Sequence, residues 1–185
     1  MKTRWTERVI ALHPGIVTGV FLLLFFGGAA AINIFPFGSP PAMAIWTVSM
    51  VFMTAPLILW HYSLREVAER KAVDRNGMRP RKPLLFMILV IAIPLFLGVQ
   101  AIYSVIQPTS ESALRLIGIT MPVLMLITVV SYFGAIWTAA DSLMRFDKGS
   151  ASVPFHTTIV TFLLEFYLPI GVWFLHPRIR RMLAQ

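Results

Sequence analysis

The chain contains long apolar stretches in which no residue carries a formal charge, and the first of these runs from Val9 to Leu64. Hydrophobic residues make up 57 % of the 185 residues and charged residues only 13 %, whereas soluble domains carry about 25 % charged residues. A water-soluble chain of this length needs a charged surface to enclose its core, so lipid is the expected solvent for most of this one. The sequence therefore predicts an integral membrane protein.

Five apolar segments are each long enough to cross a hydrocarbon core about 30 Å thick, which requires roughly 20 helical residues. Short turns rich in proline, glycine or polar residues separate most of them, which favours antiparallel neighbours. We therefore expect one all-α transmembrane domain over residues 1–185, a helical bundle in the inner membrane of a bacterium. The predicted spans cover about 13–35, 41–63, 84–107, 115–140 and 154–176, and residues 64–83 form a cytoplasmic loop.

Proline interrupts four of the five segments, at Pro56, Pro94, Pro122 and Pro169. A proline inside a helix has no N–H to offer the carbonyl group four residues earlier, so we expect several of the spans to be kinked. In the last segment, the carbonyl released in this way belongs to Glu165. The sequence also allows this segment to break and re-enter instead of crossing, provided that protein buries its backbone.

Basic residues flank the apolar segments and indicate the orientation of the chain. An amino terminus on the inner side places twelve of the sixteen Lys and Arg residues there, in agreement with the positive-inside rule. The C-terminal residues Arg178, Arg180 and Arg181 would then lie outside, against the same rule. Either the inner loop outweighs this tail or the last segment does not cross completely. Because these clusters flank apolar segments, we expect no nucleic acid partner.

Glu165 is the polar residue that stands out within the spans, because it lies near the middle of the last one. Thr158, Thr161 and Glu165 follow one another at i, i+3 and i+7, so they share one helical face that we expect to face protein. No span places a Lys or Arg at comparable depth, so we expect the acid to be protonated at rest and to donate a hydrogen bond. Thr54 and Thr128, near the middle of the second and fourth spans, are candidate acceptors. The site is either an interhelical hydrogen bond or a proton or ion site.

The loop at 64–83 carries seven basic residues beside the membrane. Several of its acidic and basic residues are spaced four apart, so we expect it to begin as a helical extension of the second span with a solvated, charged face. The alternative is a contact surface for a partner protein or for anionic lipid headgroups. The residues of that surface would be Arg65, Arg70, Lys71, Arg75, Arg79, Arg81 and Lys82.

Signatures of catalysis and of cofactor binding are missing from the sequence. The chain has no cysteine, no G-x-S-x-G, H-E-x-x-H or Walker motif, and no close pair of intramembrane acids. The least unfavourable pair of haem ligands, His61 with His156, lies near segment ends, so we expect no cofactor and no metal.

Small size and the missing signatures favour a non-enzymatic subunit or assembly component of a membrane complex. Its expected partners are the lipid bilayer and either other membrane subunits or further copies of the chain. The alternative is a proton- or ion-coupled transporter or channel subunit that uses the intramembrane acid Glu165.

Overall fold

The computed structural model describes residues 5–32, 34, 40–76, 82–106 and 111–184. These residues form α-helices and no strand, so the prediction of an all-α protein is confirmed. The helices are α1 (Trp5–Ile10), α2 (Pro14–Ile32), α3 (Pro40–Asn76), α4 (Leu84–Ile106), α5 (Glu111–Lys148), α6 (Phe155–Phe166) and α7 (Leu168–Ala184).

Proline and glycine set several of the helix boundaries. α2 and α3 begin at Pro14 and Pro40, where the missing N–H costs nothing and the fixed φ suits the first turn. Pro154 stands just before the first residue of α6, with an extended backbone. Gly149 follows α5 with a φ of 62°, the left-handed conformation that ends many helices, and its N–H donates to the carbonyl of Phe146. Local turn chemistry therefore explains these helix ends.

The chain divides into two compact units. Unit 1 comprises residues 1–22, 56–83 and 134–185, and unit 2 comprises residues 23–55 and 84–133. α2, α3 and α5 each contribute one part to each unit, whereas α4 lies in unit 2 and α1, α6 and α7 lie in unit 1.

The core of unit 1 is built from the apolar faces of α1, α3, α5 and α7. On α7 the buried residues Val172, Leu175, Ile179 and Met182 recur at helical spacing and form one continuous stripe. Burial of each such side chain contributes about 1.5–3 kcal/mol. The rest of this core consists of Ile10, Trp60, Leu64, Val67, Ala68, Ala72, Leu143 and Phe146.

Unit 2 is almost free of formal charge. Glu111 and Arg115 are the charged residues in its sequence, and they form an exposed ion pair of 2.7 Å on α5. Large apolar side chains of α4 and α5 are exposed within this unit, including Val90, Leu116 and Ile119. Its surface is therefore apolar, in contrast to the charged helices of unit 1.

Among the described residues, α5 is the one helix that is long and apolar enough to span a membrane by length and composition. The qualifying part is Arg115–Lys148, and only 6 % of its most apolar stretch is buried. Shorter apolar helices cover Pro14–Leu23, Leu84–Gln100 and Phe155–Phe166. The predicted bundle of five spans is therefore not confirmed. The helices continue through Pro56, Pro94 and Pro122, three of the four predicted interruptions.

The fifth predicted span is two helices rather than one. α6 ends at Phe166, Tyr167 forms a turn, and α7 starts at Leu168. Arg178 of α7 donates a hydrogen bond to Oγ1 of Thr161 on α6 over 3.2 Å, although 17 residues of straight helix would separate the two residues by about 25 Å. The two helices therefore double back on each other, and we call them the α6–α7 hairpin.

Gly171 permits the close approach of backbone that this hairpin requires, which gives a first prediction. A methyl group on Gly171 would overlap the carbonyl oxygen of Leu164, a backbone atom that cannot swing away. We expect Gly171→Ala to lower the free energy of unfolding by about 3 kcal/mol, because opening the turn is the way to relieve the overlap. Thermal unfolding of the purified protein in detergent measures the change.

The matched control is Gly98→Ala on α4, where the added methyl group meets no atom within 4 Å. Alanine is a better helix former than glycine, so this control is expected to be neutral or slightly stabilising. Equal unfolding temperatures for the two variants would contradict the tight turn described here.

Candidate functional site

The polar face of α6 points into unit 1. Thr158, Thr161 and Glu165 are the buried residues of this helix, with exposures of 1 %, 1 % and 0 %. Val160 and Leu163, on other faces of the helix, are exposed. The polar side chains are therefore turned toward protein, and apolar ones are turned away from it.

The turn after α6 releases a backbone acceptor next to this face. α6 ends at Phe166, so the carbonyl group of Glu165, in its last turn, has no N–H of a following helical turn to accept from. In unit 1 that carbonyl oxygen lies 3.3 Å from Nε2 of His61, on α3. The other ring nitrogen of His61, Nδ1, lies 2.7 Å from the carbonyl oxygen of Leu57. The ring of this buried histidine thus lies between two backbone carbonyl groups and brings α3 against the hairpin.

The side chain of Glu165 faces the same imidazole ring. Its Oε2 lies 4.0 Å from Nε2 of His61, and the side chains of His61 and Glu165 expose 2 % and 0 % of their surface. Both carboxyl oxygens are buried without a hydrogen-bond partner among the residues that the structure describes. Unsatisfied polar atoms at such depth are uncommon in native proteins and mark strained or functional sites.

The acid and the imidazole can hold their protons in two arrangements that carry no net charge. In one, both side chains are neutral, and in the other a proton has moved from Glu165 to His61. A neutral imidazole has one N–H and donates to one carbonyl, whereas an imidazolium donates to two. The carbonyl groups of Leu57 and Glu165 both face the ring, so a neutral ring can donate to one of them and an imidazolium to both. The site has the chemistry to accept, hold and release a proton.

A cation also reaches this part of unit 1. Nη1 of Arg178 donates to Thr161 and lies 3.7 Å from Sδ of Met144, while its Nε lies 4.0 Å from Oδ2 of Asp147 on α5. The sequence places Arg178 beyond the last predicted span, and the chain reversal returns it to Thr161, on the polar face of α6. A continuous helix would have left the two residues far apart.

A second group of buried charges joins α3 to α5 within unit 1. Nη1 of Arg145 donates to Oε1 of Glu69 over 2.7 Å, and Oγ of Ser142 donates to the same oxygen over 2.9 Å. The side chains of Arg145 and Glu69 expose only 4 % and 6 %. Arg65 and Asp141, one helical turn before these two partners, are buried as well. This cluster fixes the two helices on which His61 and the hairpin contacts depend.

The predicted loop at 64–83 is helical as far as Asn76, the end of α3. Its basic residues are divided between the interior and the surface of unit 1. Arg65 is buried, and Arg70 forms an ion pair with Glu7 of α1. Lys71 is half-buried, and Lys82 is exposed. Arg65 and Arg70 therefore serve contacts inside unit 1, and neither side chain is freely exposed. The side chain of Arg75 and the residues Arg79 and Arg81 lie outside the described residues.

Thr54 and Thr128, the candidate acceptors for Glu165, both belong to unit 2. There they line a common cavity formed by α3, α4 and α5. His61, which sequence reasoning did not connect with Glu165, supplies the contact to the hairpin instead. The sequence carries no local signal for this contact, because 104 residues separate His61 from Glu165.

No group of three or more His, Asp or Glu side chains that could hold a metal ion occurs in the part of the chain that the structure describes. His156, the other residue of the haem pair considered above, is exposed on α6. No protein family, characterised protein or solved structure matches this chain significantly. Its geometry alone therefore supports the function proposed below.

Removal of one member of the buried Arg145–Glu69 pair should destabilise unit 1 strongly. Arg145→Met keeps most of the side-chain volume but leaves the carboxylate of Glu69 buried without this cation, which costs about 3–5 kcal/mol. The double variant Glu69→Gln/Arg145→Met removes both charges, so we expect it to recover a large part of that loss. Unfolding temperatures in detergent measure both effects.

Arg115→Met is the control, because it breaks the ion pair with Glu111, whose two side chains are 77 % and 80 % exposed. Exposed pairs of this kind contribute little, so we expect no measurable change. If Arg145→Met lost no more stability than Arg115→Met, the buried cluster would not have the structural role assigned to it.

Proposed function

We propose that this protein is an integral membrane protein. Support comes from α5, which is apolar over more than the thickness of a bilayer although only 6 % of its most apolar stretch is buried. A core helix of a soluble protein would be covered by other elements, whereas an exposed apolar surface of this extent requires lipid or another protein. The scarcity of charge in unit 2 agrees with this environment.

Within the membrane, we propose that the chain is a proton- or ion-coupled transporter or channel subunit that binds its proton at Glu165 and His61. The observation that carries this proposal is the buried carboxyl group, unpartnered among the described residues and 4.0 Å from a buried imidazole. Ionisable groups in membrane proteins are costly when they are removed from water, and they mark proton and ion pathways.

The charged groups around the acid fit this role. α3 supplies His61, α7 supplies Arg178 through its bond to Thr161, and α5 supplies Asp147, 4.0 Å from Arg178. Thr161 lies one turn before Glu165 on the same face of α6. A carboxylate that forms at position 165 therefore faces the imidazole ring of His61, and Arg178 binds one helical turn away at Thr161.

The position of His61 links proton binding to the conformation of the hairpin. The ring faces both the carbonyl group and the carboxyl group of Glu165, at the end of α6. Protonation of the ring raises the number of hydrogen bonds that it can donate from one to two. The strength with which α3 holds the turn then depends on where the proton resides, as proton-linked movement requires.

The second candidate function is a non-enzymatic subunit of a membrane complex. Exposed apolar side chains of α4 and α5 favour it, since Val90, Leu116 and Ile119 expose 66 %, 67 % and 68 % of their surface. Exposed apolar helix faces of this kind can be covered by another subunit as well as by lipid. A stoichiometric partner that co-purifies in mild detergent would support this function.

Glu165→Gln tests the proton site, because glutamine keeps a hydrogen-bonding side chain of the same size and cannot titrate. We expect liposomes that contain the wild-type protein to dissipate an imposed pH gradient, and liposomes with the variant to behave like protein-free ones. A pH-sensitive dye trapped inside the liposomes measures the proton flux.

Glu111→Gln is the matched control, since the same change is made at an exposed acid of unit 2. It should leave both flux and assembly at the wild-type level. If Glu165→Gln assembles normally and its flux equals that of the wild type, Glu165 serves packing and the coupled function is excluded.

A further inference from the structure

The exposed face of α7 changes from apolar to basic along the helix. Exposed residues at positions 170, 173, 174, 177, 180 and 181 recur with the period of a helix, so they share one side of it. The opposite side is the buried stripe that belongs to the core of unit 1. The first turns of the exposed side carry Ile170, Trp173 and Phe174, and its later part carries Arg180 and Arg181. One face therefore presents an apolar surface near the hairpin turn and two cations farther along.

The apolar part of this face is large and is held in place. Ile170, Trp173 and Phe174 each expose more than half of their surface. Nε1 of Trp173 donates to Oγ1 of Thr18 on α2 over 3.3 Å, and the ring of His13 meets the indole edge-on with centroids 5.8 Å apart. The indole thus has its polar atom bound to protein and much of its apolar surface open. Tryptophan is the residue type that prefers the level between acyl chains and headgroups.

The basic part of this face has no acidic partner within the described part of the chain. Arg180 and Arg181 are exposed, and neither forms an ion pair there with Asp or Glu. Arg178, on another side of the helix, is the arginine of α7 that approaches Asp147. Two guanidinium groups at one end of a helix face attract an anion, and their planar donors suit the oxygens of a phosphate group.

The two arms of the α6–α7 hairpin each match the thickness of one lipid leaflet. α6, of 12 residues, is about 18 Å long, and the rise from Leu168 to Arg180 on α7 is about the same. The hydrocarbon layer of one leaflet is about 15 Å thick. A turn near the middle of the bilayer therefore brings Arg180 and Arg181 to the level of the headgroups, and Trp173 lies between them and the turn.

We propose that this face of α7 binds an anionic phospholipid. The acyl chains lie along Ile170, Trp173 and Phe174, and the phosphate group binds the guanidinium groups of Arg180 and Arg181. A zwitterionic lipid is disfavoured, because its headgroup brings a cation beside two arginines that carry the same charge. A soluble anion would leave the apolar part of the face uncovered. The inference rests on the proposed membrane location and is independent of the proton site at Glu165.

Quenching of the fluorescence of Trp173 by brominated lipid tests this proposal. The protein is reconstituted in phosphatidylcholine vesicles in which a minority of the lipid carries bromine near the glycerol end of its acyl chains, as either phosphatidylglycerol or phosphatidylcholine. The difference between the wild type and Trp173→Phe isolates the signal of this residue from that of the other tryptophans. We expect phosphatidylglycerol to bind beside Trp173 about 5- to 30-fold more tightly, since each arginine near anionic headgroups contributes about a factor of five.

Charge variants test the two arginines. Arg180→Gln/Arg181→Gln should remove the preference for phosphatidylglycerol and leave quenching by brominated phosphatidylcholine unchanged, because the apolar surface remains. Salt at about 1 M should weaken the preference in the wild type, because the Debye length falls to about 3 Å. Arg115→Gln, the matched change at an exposed arginine of α5, should keep the full preference.

Equal quenching of Trp173 by the two brominated lipids in the wild type would overturn the proposal and leave the membrane location in place. A preference that survives in Arg180→Gln/Arg181→Gln would overturn it as well, because other groups would then bind the anion. Absence of quenching at Trp173 alone would show that protein covers this face, against the proposal. If every tryptophan escaped quenching, the proposed membrane location would fail too.

Discussion

The chain reversal at Tyr167 is the constraint on which the rest of unit 1 depends. The helix ends there, so the carbonyl group of Glu165 has no N–H from a following turn, and His61 lies within reach of that oxygen. Gly171 allows α7 to pass close to the backbone of α6. One turn therefore frees a backbone acceptor, positions an acid beside a buried histidine, and returns the basic end of α7 to α6 through Arg178.

The reversal also bears on the orientation of the protein in a membrane. A complete fifth crossing would carry Arg178, Arg180 and Arg181 to the outer side, where the positive-inside rule disfavours them. The hairpin instead holds Arg178 within 4.0 Å of Asp147, at the end of α5. With the amino terminus inside, as the sequence predicts, we expect the C-terminal arginines to join the other basic residues on the inner side, which leaves Arg115 outside.

Local features of the structure could be predicted from the sequence, whereas contacts between distant segments could not. The prolines at the start of α2 and α3 favour a helix start through their own fixed φ and missing N–H. The polar stripe of α6 follows from helical periodicity alone. The sequence offered a break in the last segment only as an alternative to a crossing, because residues 154–176 remain apolar throughout and hydropathy describes one segment. The break itself depends on a close backbone contact at Gly171, which hydropathy cannot register.

The site shows the same division between local and distant information. His61 and the carbonyl group of Glu165 are 104 residues apart in sequence, and Arg145 and Glu69 are 76 apart, so no spacing rule joins them. Thr54 and Thr128 were predicted as candidate acceptors for Glu165, and they line a cavity of the unit that does not contain Glu165. Periodicity gave the polar face of α6 correctly, and tertiary packing decided which residues meet it.

Side-specific labelling of single cysteines tests the α6–α7 hairpin most directly, because the chain has no cysteine of its own. Lys148→Cys, at the end of α5, and Arg181→Cys, near the end of α7, each place the sole thiol at an exposed position. In sealed membrane vesicles of known orientation, a membrane-impermeant maleimide should label both variants from the same, inner side. Labelling of the two positions from opposite sides would contradict the hairpin and would establish a fifth crossing.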